Sequence, residues 1–183
     1  MMNTTYETDR LILRVCTKYD ARMVLDFYKK NMKDFAQYEV MDLKSCGSLR
    51  YHETLLNAEF SVRSEGRMTR YYLFEKDNPF SIIGTFAFHD IQYTHYMSAR
   101  VGYKVDTDYR QRGYAKEALQ KGISALFEEE GLHRIEAFVL PDNTPSIRLL
   151  ESLGFMREGL VLDKVKLNGV WRDHYQYAKL NNT

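Results

Sequence analysis

Residues 108–122 read DYRQRGYAKEALQKG. Two arginines flank a glutamine, a lone glycine follows, and from Tyr114 the positions Ala115, Ala118, Leu119, Ile123, Leu126 and Phe127 repeat every 3.6 residues. The spacing predicts a helix that opens at Tyr114 and is stopped by Gly131. The first four N–H groups of such a helix have no partner inside it, and the helix dipole adds partial positive charge there. Gly113 lets a ligand approach the backbone and tolerates unusual dihedrals, and Ala115 is nearly as small. Arg110 and Arg112 contribute fixed charge of a shape suited to paired phosphate oxygens. The stretch therefore reads as a phosphate or pyrophosphate cradle, or as an ordinary helix start with solvated arginines. It has neither the glycines of a dinucleotide fingerprint nor the Gly-Lys-Ser/Thr of a P-loop.

Working outward, RLILRVC (residues 10–16) alternates and predicts a first strand. DARMVLDFYKKNM (residues 20–32) has apolar residues at helical spacing, with Asp20 as its expected N-cap. A second helix is expected from near Ser48 to Gly66. RYYLFEK, FSIIGTFAFHDI and MSARVGYKVD then predict three antiparallel strands, with KDNP marking the first turn. After the central helix come a strand (HRIEAFVL), a loop into a short helix (PDNTPSIRLLESLGF), and a hairpin turning at Asn168 and Gly169. A helical crossover favours parallel strands before and after the central helix. The expected fold is α/β (α+β): a mixed, mostly antiparallel sheet of about seven strands with helices on both faces. With no repeat and no linker, residues 1–183 read as one domain.

Apolar residues make up 44% and charged residues 28% of the chain, the balance of a folded globular protein. A formal net charge of +1 gives no reason to expect nucleic acid or a membrane surface as partner. Cys16 and Cys46 lie far apart with no zinc-type spacing, so neither a disulfide framework nor a metal is expected. No apolar run reaches membrane-span length, and MMNTTYETDR lacks the apolar stretch of a secretory signal. These features point to the cytoplasm.

Arg110, Gly113 and Ala115, followed by a strand and then by PDNTPSIRLLESLGF with Asn143, Ser146 and the ending Leu153-Gly154-Phe155, resemble the GNAT superfamily of N-acetyltransferases. TDRLILR (residues 8–14) and the closing NGVWRDHYQYAKL resemble its RimJ/RimL branch. The resemblance covers nearly the whole chain. It implies acetyl-CoA as cosubstrate, with its pyrophosphate on Arg110, Gln111, Arg112, Gly113, Tyr114, Ala115 and Lys116. It implies main-chain pairing of the pantetheine arm with Tyr103, Lys104 and Val105, a local bulge that opens the sheet, and an oxyanion donor near Val105. It also implies pantetheine contact by Asn143 and proton donation to the departing thiolate by Ser146. By residue type alone, Asn143 and Ser146 equally suit a turn and a helix cap.

One departure bears on mechanism. Family members commonly read AEIGYWL where this chain reads ARVGYKV, so the usual glutamate base is replaced by Arg100, which cannot accept a proton. His89 and Asp90, at the end of FHDI, are the expected stand-ins; Glu136, Asp173 and His174 are further candidates. An α-amino group with a pKa of about 8 can also react without a strong base. The expected activity is acetyl transfer to a primary amine, either a protein N-terminus or a small molecule such as an antibiotic, polyamine or amino acid. A catalytically weak CoA-binding sensor is the alternative that Arg100 suggests. A homodimer is the expected assembly. Of the tyrosines, Tyr71, Tyr72, Tyr93, Tyr96 and Tyr103 read either as core or as lining of an acceptor pocket, with core favoured for most.

Overall fold

The computed structural model describes residues 1–181. Eight strands form one sheet: β1 (Thr5–Glu7), β2 (Leu11–Arg14), β3 (Thr69–Glu75), β4 (Asn78–Gln92), β5 (Ser98–Val105), β6 (Arg134–Val139), β7 (Met156–Leu167) and β8 (Val170–Leu180). Four helices accompany them: α1 (Ala21–Phe35), α2 (Leu49–Ser64), α3 (Tyr114–Glu130) and α4 (Thr144–Ser152). The order across the sheet is β1-β2-β3-β4-β5-β6-β8-β7. Every neighbouring pair is antiparallel except β5 and β6, which flank α3 and run parallel as the crossover requires.

Alternation along the strands sorts the core into two layers. Tyr71, Leu73, Phe86, Phe88 and Val101 pack with Ala118, Leu119, Ile123 and Leu126 of α3. The intervening Tyr72 and Phe74, with Ile82, pack with Val24, Phe27 and Tyr28 of α1 and Leu56 of α2. Tyr71 and Tyr72 are both core residues, on opposite faces. Gly122 is the point of closest approach of α3 to the sheet: a Cβ there would lie 2.6 Å from two ring carbons of Phe86.

The structure adds one strand and turns the side chain of one cap residue to another partner. Thr5–Glu7 pairs with Leu11–Arg14 as an edge strand, although TTYETD carries no alternating apolar signal; the pairing, not the local pattern, makes it a strand. Asp20 occupies the expected N-cap position of α1 but makes no side-chain cap bond there. A short 3-10 turn over Lys18–Asp20 precedes that helix, and the Asp20 carboxylate accepts the backbone N–H of Thr17 at 2.8 Å. Among the described residues, no helix is long and apolar enough to cross a membrane.

Candidate active site

The loop that joins β5 to α3 is built around two left-handed residues, Gln111 (φ 60°) and Gly113 (φ 82°). Left-handed and right-handed residues in succession turn several N–H groups to one side. The amides of residues 111–116 have no backbone acceptor among the described residues, and the first intrahelical bond runs from Glu117 N–H to Gly113 O at 3.1 Å. A side chain at Gly113 would be strained by the positive φ, with its Cβ in ordinary contact with Arg10 Nη2 at 3.4 Å.

This loop is clamped from two sides by residues that no local pattern marks. Arg10, before β2, pairs with Glu117 and donates from Nη1 to the Arg112 carbonyl at 3.0 Å. Its guanidinium also covers the Tyr114 ring at 4.4 Å. On the other side, buried Asn31 of α1 donates to Asp106 Oδ2 and accepts the Thr107 N–H, each at 3.0 Å. Lys30 bridges Asp106 and Asp108 at 2.9 and 2.7 Å. Burial alone would raise the Asp106 carboxyl; the bonds from Lys30, Asn31 and the Asp108 amide overcome it and hold the group below its ordinary value. Arg110 does not project freely. Both prongs of its guanidinium go to Asp34, and Nε donates to the Val105 carbonyl at 3.3 Å. Arg112 lies over the Tyr109 ring at 5.2 Å and makes no ion pair among the described residues.

Beside the loop the sheet opens. Parallel pairing of β5 with β6 is confined to Ser98↔Arg134, Ala99↔Ile135 and Arg100↔Glu136. Beyond it β6 stays with β8 as far as Val139↔Tyr175, while β5 stays with β4 as far as Val105↔Gly84. Residues 101–105 of β5 thus face a gap on their β6 side. No register shift occurs along Tyr103–Val105; the irregularity between β4 and β5 lies instead between His89 and Gln92. The opening comes from divergence of the two strands rather than from the expected bulge.

Tyr103 points from this gap toward α4, where its hydroxyl lies 2.7 Å from Ser146 Oγ. Burial pushes the Tyr103 hydroxyl up to about 12, so it stays protonated at neutral pH. Asn143 is the N-cap of α4, its Oδ1 accepting the Ser146 amide at 3.2 Å. Capping and placement beside the gap are therefore both properties of this pair. Lys104 points to the opposite face, bonded to Glu39 and lying over the rings of Tyr28 and Phe35. Lys116 is exposed at the third position of α3.

On that opposite face His89, Arg100 and Glu136 lie in one row across β4, β5 and β6, where the gap begins. They line a cleft of about 660 Å³ together with Arg67, Asp90 and Tyr96. Asp90, at φ 51°, turns its carboxylate back so that Oδ2 lies 3.2 Å from His89 Nδ1 and accepts Arg100 Nη1 at 2.9 Å. Burial, reinforced by the charges of Arg70 and Arg100, lowers the His89 pKa against the pull of Asp90. His89 is thus neutral at pH 7, and its Nε2 has no protein partner among the described residues. The other candidates are held differently. Glu136 accepts Arg134 Nε and Gln176 Nε2 at 3.0 and 3.2 Å. Asp173 accepts the Asp163 amide at 2.8 Å, and His174 is buried against the Arg172 carbonyl.

A family profile described as an acetyltransferase (GNAT) domain matches residues 10–156. An N-acetyltransferase named p20 from Bacillus licheniformis is 32% identical over 179 residues, 98% of this chain and 97% of that protein. The ribosomal protein uS5-alanine N-acetyltransferase of Escherichia coli K12 is 31% identical, covering 91% of this chain and 86% of the enzyme. Mycobacterium smegmatis RimJ, solved in complex with CoA-disulfide, superposes with a TM-score of 0.87 at 27% identity, over 93% of this chain and 81% of that one. The chain belongs to the GNAT family of N-acetyltransferases, on its RimJ/RimL-like side.

Proposed function

We propose that residues 1–183 act as one domain that moves the acetyl group of acetyl-CoA onto the N-terminal amine of a protein, in the cytoplasm. The carrying observation is the run of amides at residues 111–116 without acceptors, placed beside a sheet gap with polar groups on both faces. A pyrophosphate fits that run, and an extended thiol arm fits the unpaired main chain of residues 103–105. One relative is named as an N-acetyltransferase of ribosomal protein uS5 and a structural neighbour holds CoA-disulfide, which supports both halves of the reading.

The two faces of the gap divide the chemistry. From the His89 side, the amine nitrogen attacks the thioester carbonyl; its proton passes to His89 Nε2, while Asp90 holds the Nδ1–H tautomer. A backbone N–H near Val105 stabilises the oxyanion. As the carbon–sulfur bond breaks, the thiolate takes a proton from Ser146 Oγ, which recovers one from solvent, while the Tyr103 hydroxyl holds the Ser146 hydroxyl in place. Asn143 positions Ser146 through its amide. Arg100 pairs with Asp90 and takes no proton itself.

A thiol-release assay with acetyl-CoA and a panel of amines tests this. N-terminal peptides should be the acceptors. Absence of acetyl-CoA binding by calorimetry, or slow hydrolysis without acceptor-dependent release, would refute the transfer reading.

A further inference from the structure

Past the point where β5 and β6 part, Phe138 is the next residue of β6 on the cleft face, two after Glu136. Two cations converge on its ring. Lys164 Nζ lies 3.6 Å from the centroid and the Arg100 guanidinium carbon 5.3 Å from it. The ring attracts each cation, but two cations sharing one ring repel one another.

Lys164 is brought there by a specific distortion. The β7–β8 register shifts between Val161 and Val165, and Asp163 adopts φ 46° with its N–H pinned to Asp173 Oδ1. Bulges of this kind re-aim side chains. The hairpin end is fastened to the end of α1: Leu167 is buried, and Asn168 Nδ2 donates to the Ala36 carbonyl just after that helix at 3.2 Å.

Lys164 forms no ion pair among the described residues, whereas Lys30, Lys76 and Lys104 each find a carboxylate. Arg100 uses Nη1 on Asp90 and turns Nε toward Glu136 at 3.7 Å, leaving Nη2 without a protein partner among the described residues. Burial and the Arg100 charge both lower the Lys164 pKa, consistent with a cation short of an anion.

We propose that Arg100 and Lys164, braced on Phe138, form a carboxylate subsite beside the gap, so that the favoured acceptor carries a carboxylate close to its amine. A peptide N-terminus with Asp or Glu as second residue supplies that group, and so does the α-carboxylate of a free amino acid. Glu136 and Asp90 lie alongside to receive the ammonium end before it loses its proton. The identity of the amine end rests on the acetyl-transfer reading; the carboxylate subsite rests on its own geometry.

Calorimetry on the CoA-saturated protein tests the subsite directly. The peptide amides Ala-Glu-Ala-Tyr and Ala-Gln-Ala-Tyr differ only in the charge in question. At low ionic strength the Glu peptide should bind about tenfold more tightly. That ratio should fall toward one in Lys164→Met and in Arg100→Gln, with melting temperatures confirming that both variants fold. Free alanine against alaninamide separates the second source: a preference for free alanine larger than that for the Glu peptide assigns the subsite to α-carboxylates. Equal affinity in the parent both for the two peptides and for alanine and alaninamide, or ratios untouched in both variants, overturns the subsite. Thiol release reports on transfer separately. Turnover of neutral amines without any acidic preference leaves transfer standing and removes the subsite; an acidic preference in binding with no turnover does the reverse.

Discussion

Asp34, in the last turn of α1, takes the guanidinium of Arg110 with both carboxylate oxygens, Nη1 lying 3.1 Å from Oδ1 and Nη2 bonding to Oδ2. The pair ties the amide-rich loop to the same end of α1 that meets the β7–β8 hairpin. It also occupies the arginine that local sequence marks most strongly for phosphate. Arg112, without such a partner, should therefore matter more for direct charge. Arg112→Ala is expected to weaken acetyl-CoA binding about fivefold, from the loss of one partly exposed contact near 1 kcal/mol, and to flatten its salt dependence. Arg110→Ala should match Asp34→Asn in effect. Calorimetry at two ionic strengths checks the order; a larger loss from Arg110→Ala than from Arg112→Ala, with Asp34→Asn silent, would contradict it.

Gly113→Ala puts a side chain at a left-handed φ, with its Cβ in ordinary contact with the end of Arg10. Strain of about 1 kcal/mol or more is expected, together with loss of the close approach that a pyrophosphate needs. CoA affinity should fall at least tenfold while melting changes little, and the two measurements separate the site from the fold.

Gly122→Ala is the converse case. Alanine is the better helix former by ~1 kcal/mol, yet its Cβ would collide with the Phe86 ring at 2.6 Å. Overpacking of a buried ring costs about 1–3 kcal/mol, so the net effect should be destabilising. Urea unfolding gives the answer, and a stabilised variant would contradict it.

His89 should act as base only when neutral. The α-amine itself adds a limb at a pKa of about 8; because the His89 pKa is lowered, the separate His89 limb of kcat against pH should lie below the ordinary imidazole value of 6.5. His89→Ala should lower kcat about 10²-fold and abolish that limb. Persistence of the limb in the variant would assign it elsewhere.

Ser146→Ala and Tyr103→Phe remove either end of the 2.7 Å hydroxyl pair. Both should lower kcat roughly tenfold with KM for acetyl-CoA nearly unchanged, since the proton is needed only as the thiolate departs. Unchanged turnover in Ser146→Ala would remove it from that role.

Asn31 and Asp106 hold the loop by buried bonds, so Asn31→Ala should destabilise by about 1–3 kcal/mol through the partners it strands. The depressed Asp106 pKa carries the matching pH dependence. Its contribution is complete above the ordinary carboxylate value and is lost as pH falls through the lower folded-state value. Melting temperature should therefore drop steeply below about pH 4, and less steeply in Asp106→Asn.

Much of this was legible in the chain because it depends on neighbours in sequence. Alternation in RYYLFEK and FSIIGTFAFHDI and the 3.6-residue period after Tyr114 report burial on a face, and burial is what forms those elements. The amide run needs only Gly113 and a helix start, both local. Asn143 and Ser146 could be placed together for the same reason, lying within one helix turn. The added strand at Thr5–Glu7 and the bond of the Asp20 carboxylate to Thr17 were not legible, since each owes its state to a partner rather than to its own pattern.

What local sequence determined is the set of elements, the doorway of α3 and the absence of a carboxylate at position 100. Tertiary structure alone decided that Arg110 goes to Asp34, that the opening is a divergence of β5 from β6, and that Lys164 comes to rest over Phe138 beside Arg100. These contacts join residues 26 to 76 positions apart, and long side chains choose among distant partners by charge and geometry that no window of sequence contains.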